Sequence, residues 1–334
     1  MSVYVYGPLR GSHRHASPAA LRYRNTPPRH VPAGRNGILE CRLSCTATPT
    51  PPMNRPASDI QPISLQWALA LTFVAWFVEV MLSMLLRPML MRHGLQFMSA
   101  ASLVRILACG AVFSVMLHLS GLTYRRLFHD GKSSAMATIG LLGVPILMTV
   151  PLIVLLDGVM MQLLEKVLPL SASEAAMFES MSGGLGAWVL SCAIAPMVEE
   201  MFFRGIILRG MLKRYSQTDA IVYSAFVFGL MHLNVYQFVI AFAVGILAAA
   251  FYVRTNSLWP GIVLHAGINT TITVLSEAGG DAGTETSLWI WSLAVVAGLI
   301  GTVALRRMLW RPATGAPQAG QASADTEGPP PDAA

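Results

Sequence analysis

Long apolar stretches alternate with short polar connections along residues 63–310. A membrane-spanning helix needs about 20 mostly apolar residues, because each residue adds about 1.5 Å along the helix axis. The pattern therefore predicts an all-α fold, a polytopic integral membrane helical bundle of about eight transmembrane helices. The predicted spans are 64–86, 101–122, 136–160, 184–208, 219–233, 236–253, 258–276 and 287–309. The fifth and sixth spans are short, and they can also be interpreted as one broken element.

Both ends of the chain lack this pattern. Residues 1–62 are rich in Arg and Pro and have no long apolar run, which predicts a disordered tail without a cleaved signal peptide. A start at Met53 is an open alternative, in which case residues 1–52 are an artefact of start assignment. Residues 311–334, rich in Ala, Gly and Pro, are predicted to form a second disordered tail.

Composition agrees with a membrane protein. The chain is 54% hydrophobic and 12% charged, with a mean hydropathy of +0.55, whereas soluble domains carry about 25% charged residues. The formal charge of +6 comes from tails and loops, without a basic stripe interleaved with aromatic residues, which excludes a nucleic-acid partner. With both termini in the cytoplasm, the inner connections hold most of the basic residues, as in multi-pass proteins of the cell membrane. These residues are Arg125, Arg126, Lys132, Lys213, Arg214, Arg254, Arg306, Arg307 and Arg311.

Three polar motifs interrupt the apolar spans. They are Glu199-Glu200-Met-Phe-Phe-Arg204, Phe228-Gly-Leu-Met-His232 and His265-Ala-Gly-Ile-Asn269. A charged side chain at the centre of a bilayer costs roughly 2.5–3.5 kcal/mol on insertion scales, so such groups usually carry chemistry, transport or internal pairing. On the predicted helices all three motifs fall at a similar depth, roughly 12 to 20 Å from the cytoplasmic ends. This agreement predicts one shared site.

Helix geometry divides the roles within the first motif. Glu200 and Arg204 are four residues apart and share a helix face, which predicts an ion pair. Glu199 points about 100° away from Glu200 and is left to project into a cavity, where a carboxylate can take a proton from water.

The other two motifs show the same spacing. Phe228 lies one turn before His232 and is predicted to form a wall of the pocket. His265 and Asn269 present their polar ends on one helix face.

Together, the motifs resemble those of the CPBP family (CAAX proteases and bacteriocin-processing enzymes, also called Abi). The family pattern is Glu-Glu-x-x-x-Arg, Phe-x-x-x-His and His-x-x-x-Asn, and the resemblance covers about residues 180–275, which would form a protease-like core. It implies intramembrane hydrolysis of a peptide bond in a membrane-bound peptide or protein. Prenylated carboxyl-terminal peptides and bacteriocin leaders are the implied substrate classes.

The resemblance also implies roles for individual residues. Glu199 would be the base that activates water, helped by His232. The Glu200–Arg204 pair would hold the first motif in shape.

For the third motif the resemblance leaves two roles open. His265 and Asn269 would either stabilise the oxyanion or help to bind a divalent metal such as zinc. If a metal is bound, its ligands would be Glu199, His232 and His265, although no His-Glu-x-x-His spacing demands one.

Two other functions are compatible with these polar groups. The carboxylates and histidines could form the relay of a proton- or ion-coupled transporter, although no convincing internal repeat is present. A non-catalytic membrane scaffold or immunity protein is the third hypothesis.

One further pair of charges is predicted to be structural. Glu79 in the first span and Arg105 in the second fall at a similar depth, which predicts an ion pair between the first two helices.

Overall fold

The computed structural model describes residues 59–169, 171, 184–277 and 288–310, which all belong to the compact unit Arg55–Ala334. These residues are almost entirely helical, with one isolated bridge between His129 and Ser257. The helices are α1 (Leu65–Arg92), α2 (Phe97–Ser120), α3 (Tyr124–Phe128), α4 (Ala135–Val167), α5 (Gly184–Met211), α6 (Gln217–Leu230), α7 (Val235–Thr255), α8 (Trp259–Glu277) and α9 (Leu288–Leu309). The predicted all-α bundle is confirmed. The predicted disordered tails lie outside the described residues, apart from residues 59–62.

Six of the described helices, α1, α2, α4, α5, α7 and α9, are long and apolar enough to cross a membrane. The multi-pass architecture is therefore confirmed. Helices α6 and α8 coincide with two further predicted spans but have only 14 and 19 residues. A total of eight crossings stays a prediction, as do the cell membrane and the cytoplasmic position of both termini.

Side-chain caps explain where several helices begin. Ser64, Ser134 and Ser216 precede α1, α4 and α6, and each hydroxyl accepts a hydrogen bond from a backbone N–H three residues later. Asn234 caps α7 in the same way, accepting from the N–H groups of Tyr236 and Gln237. A cap of this kind satisfies N–H groups that the first helical turn leaves without partners.

The Asn234 cap also corrects one prediction. Because α7 starts directly after Asn234, the chain must leave the preceding helix before that residue, and α6 ends at Leu230. Leu233 adopts a left-handed conformation with φ of 52°. His232 therefore lies in the turn between α6 and α7. The prediction that it lies on the helix of the fifth span, 219–233, is wrong.

Helix α5 is wound irregularly on both sides of the two glutamates. Val189–Ile194 and Met201–Leu208 are π-helical, and Ala195–Glu200 between them is α-helical. Such π segments change the direction of the side chains that follow them and are frequent at functional sites. The second segment is also the most buried part of the helix, with every residue from 201 to 208 shielded from solvent.

A cluster of charges joins the end of α5 to the segment before α1 and to the connection between α3 and α4. Arg209 contacts Asp59 at 2.6 Å and Asp130 at 2.8 Å, and Lys213 contacts Asp59 at 2.7 Å. Burial alone raises the pKa of Asp59, but hydrogen bonds from Lys213, the Ile60 backbone and Arg209 outweigh it and hold the pKa below its ordinary value of 3.8. Hydrogen bonds from Arg209 and Arg126 likewise outweigh burial at Asp130 and lower its pKa.

This cluster should make the fold sensitive to acid. Carboxyls with a lowered pKa in the folded state stabilise it at pH values above their unfolded pKa, near 3.8, and this contribution is lost as the pH falls through the folded pKa. We expect Arg209→Met to lower thermal stability near neutral pH and to flatten the loss of stability in acid, measured by thermal unfolding in detergent. Arg214→Met is the matched control, because that guanidinium lies over the ring of Tyr215. An unchanged acid dependence in Arg209→Met would contradict this account.

Candidate active site

The first motif forms a fully buried ion pair. Arg204 Nη1 lies 2.9 Å from Glu200 Oε1, and the two side chains are 1% and 0% exposed. Arg204 Nη2 donates a hydrogen bond to the carbonyl oxygen of Gly245 on α7 at 3.0 Å. Its guanidinium carbon lies 4.5 Å from the centroid of the Phe228 ring on α6. The predicted pair is confirmed, and it joins α5 to α6 and α7.

Glycine allows α8 to approach this pair closely. A Cβ atom on Gly261 would lie 2.5 Å from Glu200 Oε2. Any larger side chain there would collide with the carboxylate, so glycine fits the first turn of α8 against α5.

Phe228 packs against Arg204 and against both histidines. Its ring makes edge contacts with His232 and His265, with ring centroids 5.3 and 5.7 Å apart. The opposite contacts are with Phe203 at 5.0 Å and with Arg204. Phe228 also lines the cavity of the site, so it forms a wall of the pocket, as predicted.

His265 lies between the two glutamates of α5. Its Nδ1 is 3.5 Å from Glu200 Oε1, and its Nε2 is 3.9 Å from Glu199 Oε2. The imidazole is buried, with 9% of its side chain exposed. The imidazole of His265 thus lies close to both the Glu200 carboxylate, which pairs with Arg204, and the Glu199 carboxylate.

His232 is oriented by its own turn. Its Nδ1 lies 3.1 Å from the carbonyl oxygen of Phe228. Because a carbonyl oxygen only accepts hydrogen bonds, this contact places the proton on Nδ1 and leaves the lone pair of the neutral ring on Nε2. The half-buried ring is therefore able to accept a proton or a hydrogen bond at Nε2.

Asn269 is anchored to α5. Its Nδ2 donates a hydrogen bond to the carbonyl oxygen of Ser191 at 2.8 Å, within the first π segment. The amide nitrogen carries two N–H groups, so one remains for another acceptor.

All three motifs meet at one cavity of about 1300 Å³. Glu199, His232, His265 and Asn269 line it, and most of the remaining lining is apolar. Glu200 and Arg204 lie behind this lining. The structure thus brings the predicted residues together in two layers, with four facing the cavity and two buried behind it.

The predicted Glu79–Arg105 pair is also present, with Arg105 Nε 3.4 Å from Glu79 Oε1. A second contact, in which Arg105 Nη2 lies 3.7 Å from Glu199 Oε1, is not predicted by the residue pattern. Glu199 therefore projects into the cavity, as predicted, but with a guanidinium beside it. The predicted membrane depth of Arg105 only shows that it lies near the level of the motifs. The packing of α2 against α5 shows that its guanidinium reaches Glu199.

Metal ligation fits this arrangement poorly. Among the residues that the structure describes, no three His, Cys, Asp or Glu side chains are arranged to hold a metal ion. Arg105 Nη2 lies 3.7 Å from one oxygen of Glu199, and His265 Nε2 lies 3.9 Å from the other. A cation at this carboxylate would have to displace or repel the guanidinium.

Comparisons with known proteins point to the same segment. Residues 181–271 match the family model described as Type II CAAX prenyl endopeptidase Rce1-like. The chain is 28% identical over 87 residues to the Bacillus subtilis (strain 168) protein named "Putative membrane peptidase YdiL", which is 26% of this chain and 36% of that protein. No solved structure matches the chain. The family resemblance predicted from the three motifs is confirmed over this segment.

Proposed function

We propose that this protein is an intramembrane endopeptidase that hydrolyses a peptide bond in a membrane-associated peptide or protein. The observation that carries the proposal is that Glu199, His232, His265 and Asn269, which come from all three motifs, line one cavity among apolar helices. The family match over residues 181–271 and the name of the Bacillus relative support it.

Glu199 is the general base in this proposal. Its Oε2 takes a proton from a water molecule while the water oxygen attacks the carbonyl carbon of the peptide bond. His232 Nε2 accepts a hydrogen bond from the same water and orients it. When the carbon–nitrogen bond breaks, the proton held by Glu199 passes to the leaving amine, which restores the carboxylate.

The attacked carbonyl oxygen becomes negatively charged and needs hydrogen-bond donors. The second N–H of Asn269 is one donor and the imidazole of His265 is the other.

The buried Glu200–Arg204 pair has a supporting role. It fixes α5 against α6 and α7 and holds His265 from behind the cavity lining. The mostly apolar lining suits a substrate that is itself embedded in the lipid bilayer. Prenylated carboxyl-terminal peptides, bacteriocin leaders and other membrane-bound peptides belong to this class.

No step of this mechanism passes through a metal. We therefore expect the purified protein to keep its activity after prolonged treatment with a strong zinc chelator followed by gel filtration. The reason is that the described residues do not bring three ligands together and that Arg105 lies beside Glu199. Loss of activity that returns on adding Zn²⁺, with the fold intact by circular dichroism, would contradict this.

The proposal is tested by comparing the termini of membrane proteins in cells that express wild type or Glu199→Gln. Peptides with new termini are expected only with wild type, and they would name the substrate. Equal insertion of the two proteins in the membrane is the necessary control. Identical termini in both strains would overturn the protease proposal and leave the transporter and scaffold hypotheses.

A further inference from the structure

We infer that Arg105 is a positioning residue for Glu199, supplied by a helix that lies outside the family-matching segment. The inference rests on the proposed function, because it assigns Glu199 as the base. Arg105 comes from α2 and its partner Glu79 from α1, whereas the match covers residues 181–271. All three side chains line the same cavity.

The contacts hold the two oxygens of Glu199 in different surroundings. Arg105 Nη2 lies near Oε1 at 3.7 Å, and His265 Nε2 lies near Oε2 at 3.9 Å. A glutamate side chain has three rotatable torsions, so a free carboxylate in a large cavity would sample many orientations. The guanidinium on one side and the imidazole on the other restrict it and direct Oε2 toward the histidine side of the cavity.

The burial of the three side chains shows which partner of Arg105 matters more. The Glu79 side chain is 30% exposed and that of Arg105 is 23% exposed, whereas that of Glu199 is only 9% exposed. A partly exposed pair such as Glu79–Arg105 contributes little to stability. An ionised Glu199 is the more desolvated carboxylate, and it depends more on a nearby cation.

Glu79 has a secondary part in this arrangement. It contacts Arg105 through Nε at 3.4 Å and so holds the guanidinium in the cavity wall from the α1 side. Cys109, one turn after Arg105 on α2, lines the cavity next to the guanidinium. Two helices that precede the matched segment thus complete the surroundings of the proposed base.

Four variants separate positioning from a structural ion pair: Arg105→Lys, Arg105→Met, Glu79→Gln and the double variant Glu79→Gln/Arg105→Met. Each is purified, and initial rates are measured on the peptide identified by the comparison of termini. Arg105→Met should lower kcat by about 100-fold, as expected when a reacting group is displaced by about 1 Å, with KM within about threefold of wild type. Arg105→Lys should recover at least about a tenth of wild-type kcat, because the charge is kept.

The double variant is the decisive one. If Arg105 serves only to neutralise Glu79, then removing both charges restores kcat. If Arg105 positions Glu199, the double variant stays as slow as Arg105→Met while Glu79→Gln alone stays within about tenfold of wild type. The double variant leaves no unpaired charge on α1, so it remains informative even where Arg105→Met fails to fold.

Arg87→Met is the matched control. Arg87 lines the same cavity but contacts Ser83 Oγ and the ring of Phe97. The kcat of the Arg87→Met variant should equal that of wild type. Full activity in the double variant, or an equal loss in Arg87→Met, would overturn the inference. Failure of the proposed function is a different result, because Glu199→Gln would then generate the same termini as wild type.

Discussion

Replacement of Glu199 by Gln should lower kcat for peptide hydrolysis by about 10³-fold, within the range expected when a general base is lost. Gln has nearly the same shape as Glu, so it fills the same space beside Arg105 and His265. Its amide oxygen has no negative charge and cannot take a proton from water at neutral pH. The substitution therefore removes the proposed chemistry and leaves the packing of α5 in place.

Initial rates of the purified protein in detergent, on the peptide identified from cells, measure this effect. Glu165→Gln is the matched control, because Glu165 lines the same cavity from α4 and the change in charge is identical. We expect full activity in the control. A similar loss in both variants would mean that the net charge of the cavity matters rather than a base at position 199.

The parts of this site that the sequence predicts are those set by local geometry. The Glu200–Arg204 pair follows from a four-residue spacing on one helix, and the structure confirms it at 2.9 Å. Motif depth depends only on counting residues along helices, and it correctly predicts that Glu199, His232, His265 and Asn269 share one cavity.

Other features depend on interactions that residue spacing does not encode. The contact of Arg105 with Glu199 is set by the rotation of α2 against α5, so depth alone could only pair Arg105 with Glu79. Two π segments on either side of the glutamates alter the face that α5 presents. The apolar run through Met231 and Leu233 predicts a helix at His232, whereas the preceding helix ends at Leu230 so that Asn234 can cap α7.

The proposed site has one part within residues 181–271, which match the family model, and another part on α1 and α2, which lie outside that match. The base, the histidines and the amide belong to the segment that matches the family model. The guanidinium beside the base comes from α2, and Glu79, which holds it, comes from α1. A transplanted segment 181–271 would therefore lack the guanidinium of Arg105 beside the proposed general base.

Replacement of Arg204 by Met should lower the free energy of unfolding by about 3–5 kcal/mol, the cost of leaving one partner of a buried ion pair without its counter-charge. Glu200 is completely shielded from solvent, and Gly261 leaves its carboxylate no space for a compensating water on the α8 side. The substitution also removes the hydrogen bond to Gly245 and the contact with the Phe228 ring. Unfolding in sodium dodecyl sulfate, followed by circular dichroism, measures the loss.

A double variant identifies the physical origin of that loss. Glu200→Gln/Arg204→Met removes both charges together, so we expect it to be more stable than Arg204→Met, with a coupling energy of about 2 kcal/mol or more. This follows because most of the cost in the single variant is the desolvated Glu200 carboxylate and not the lost packing of Arg204. Equal stability of the single and double variants would show instead that the contacts of Arg204 with Gly245 and Phe228 hold α5 to its neighbours, and that Glu200 is neutral in the folded protein.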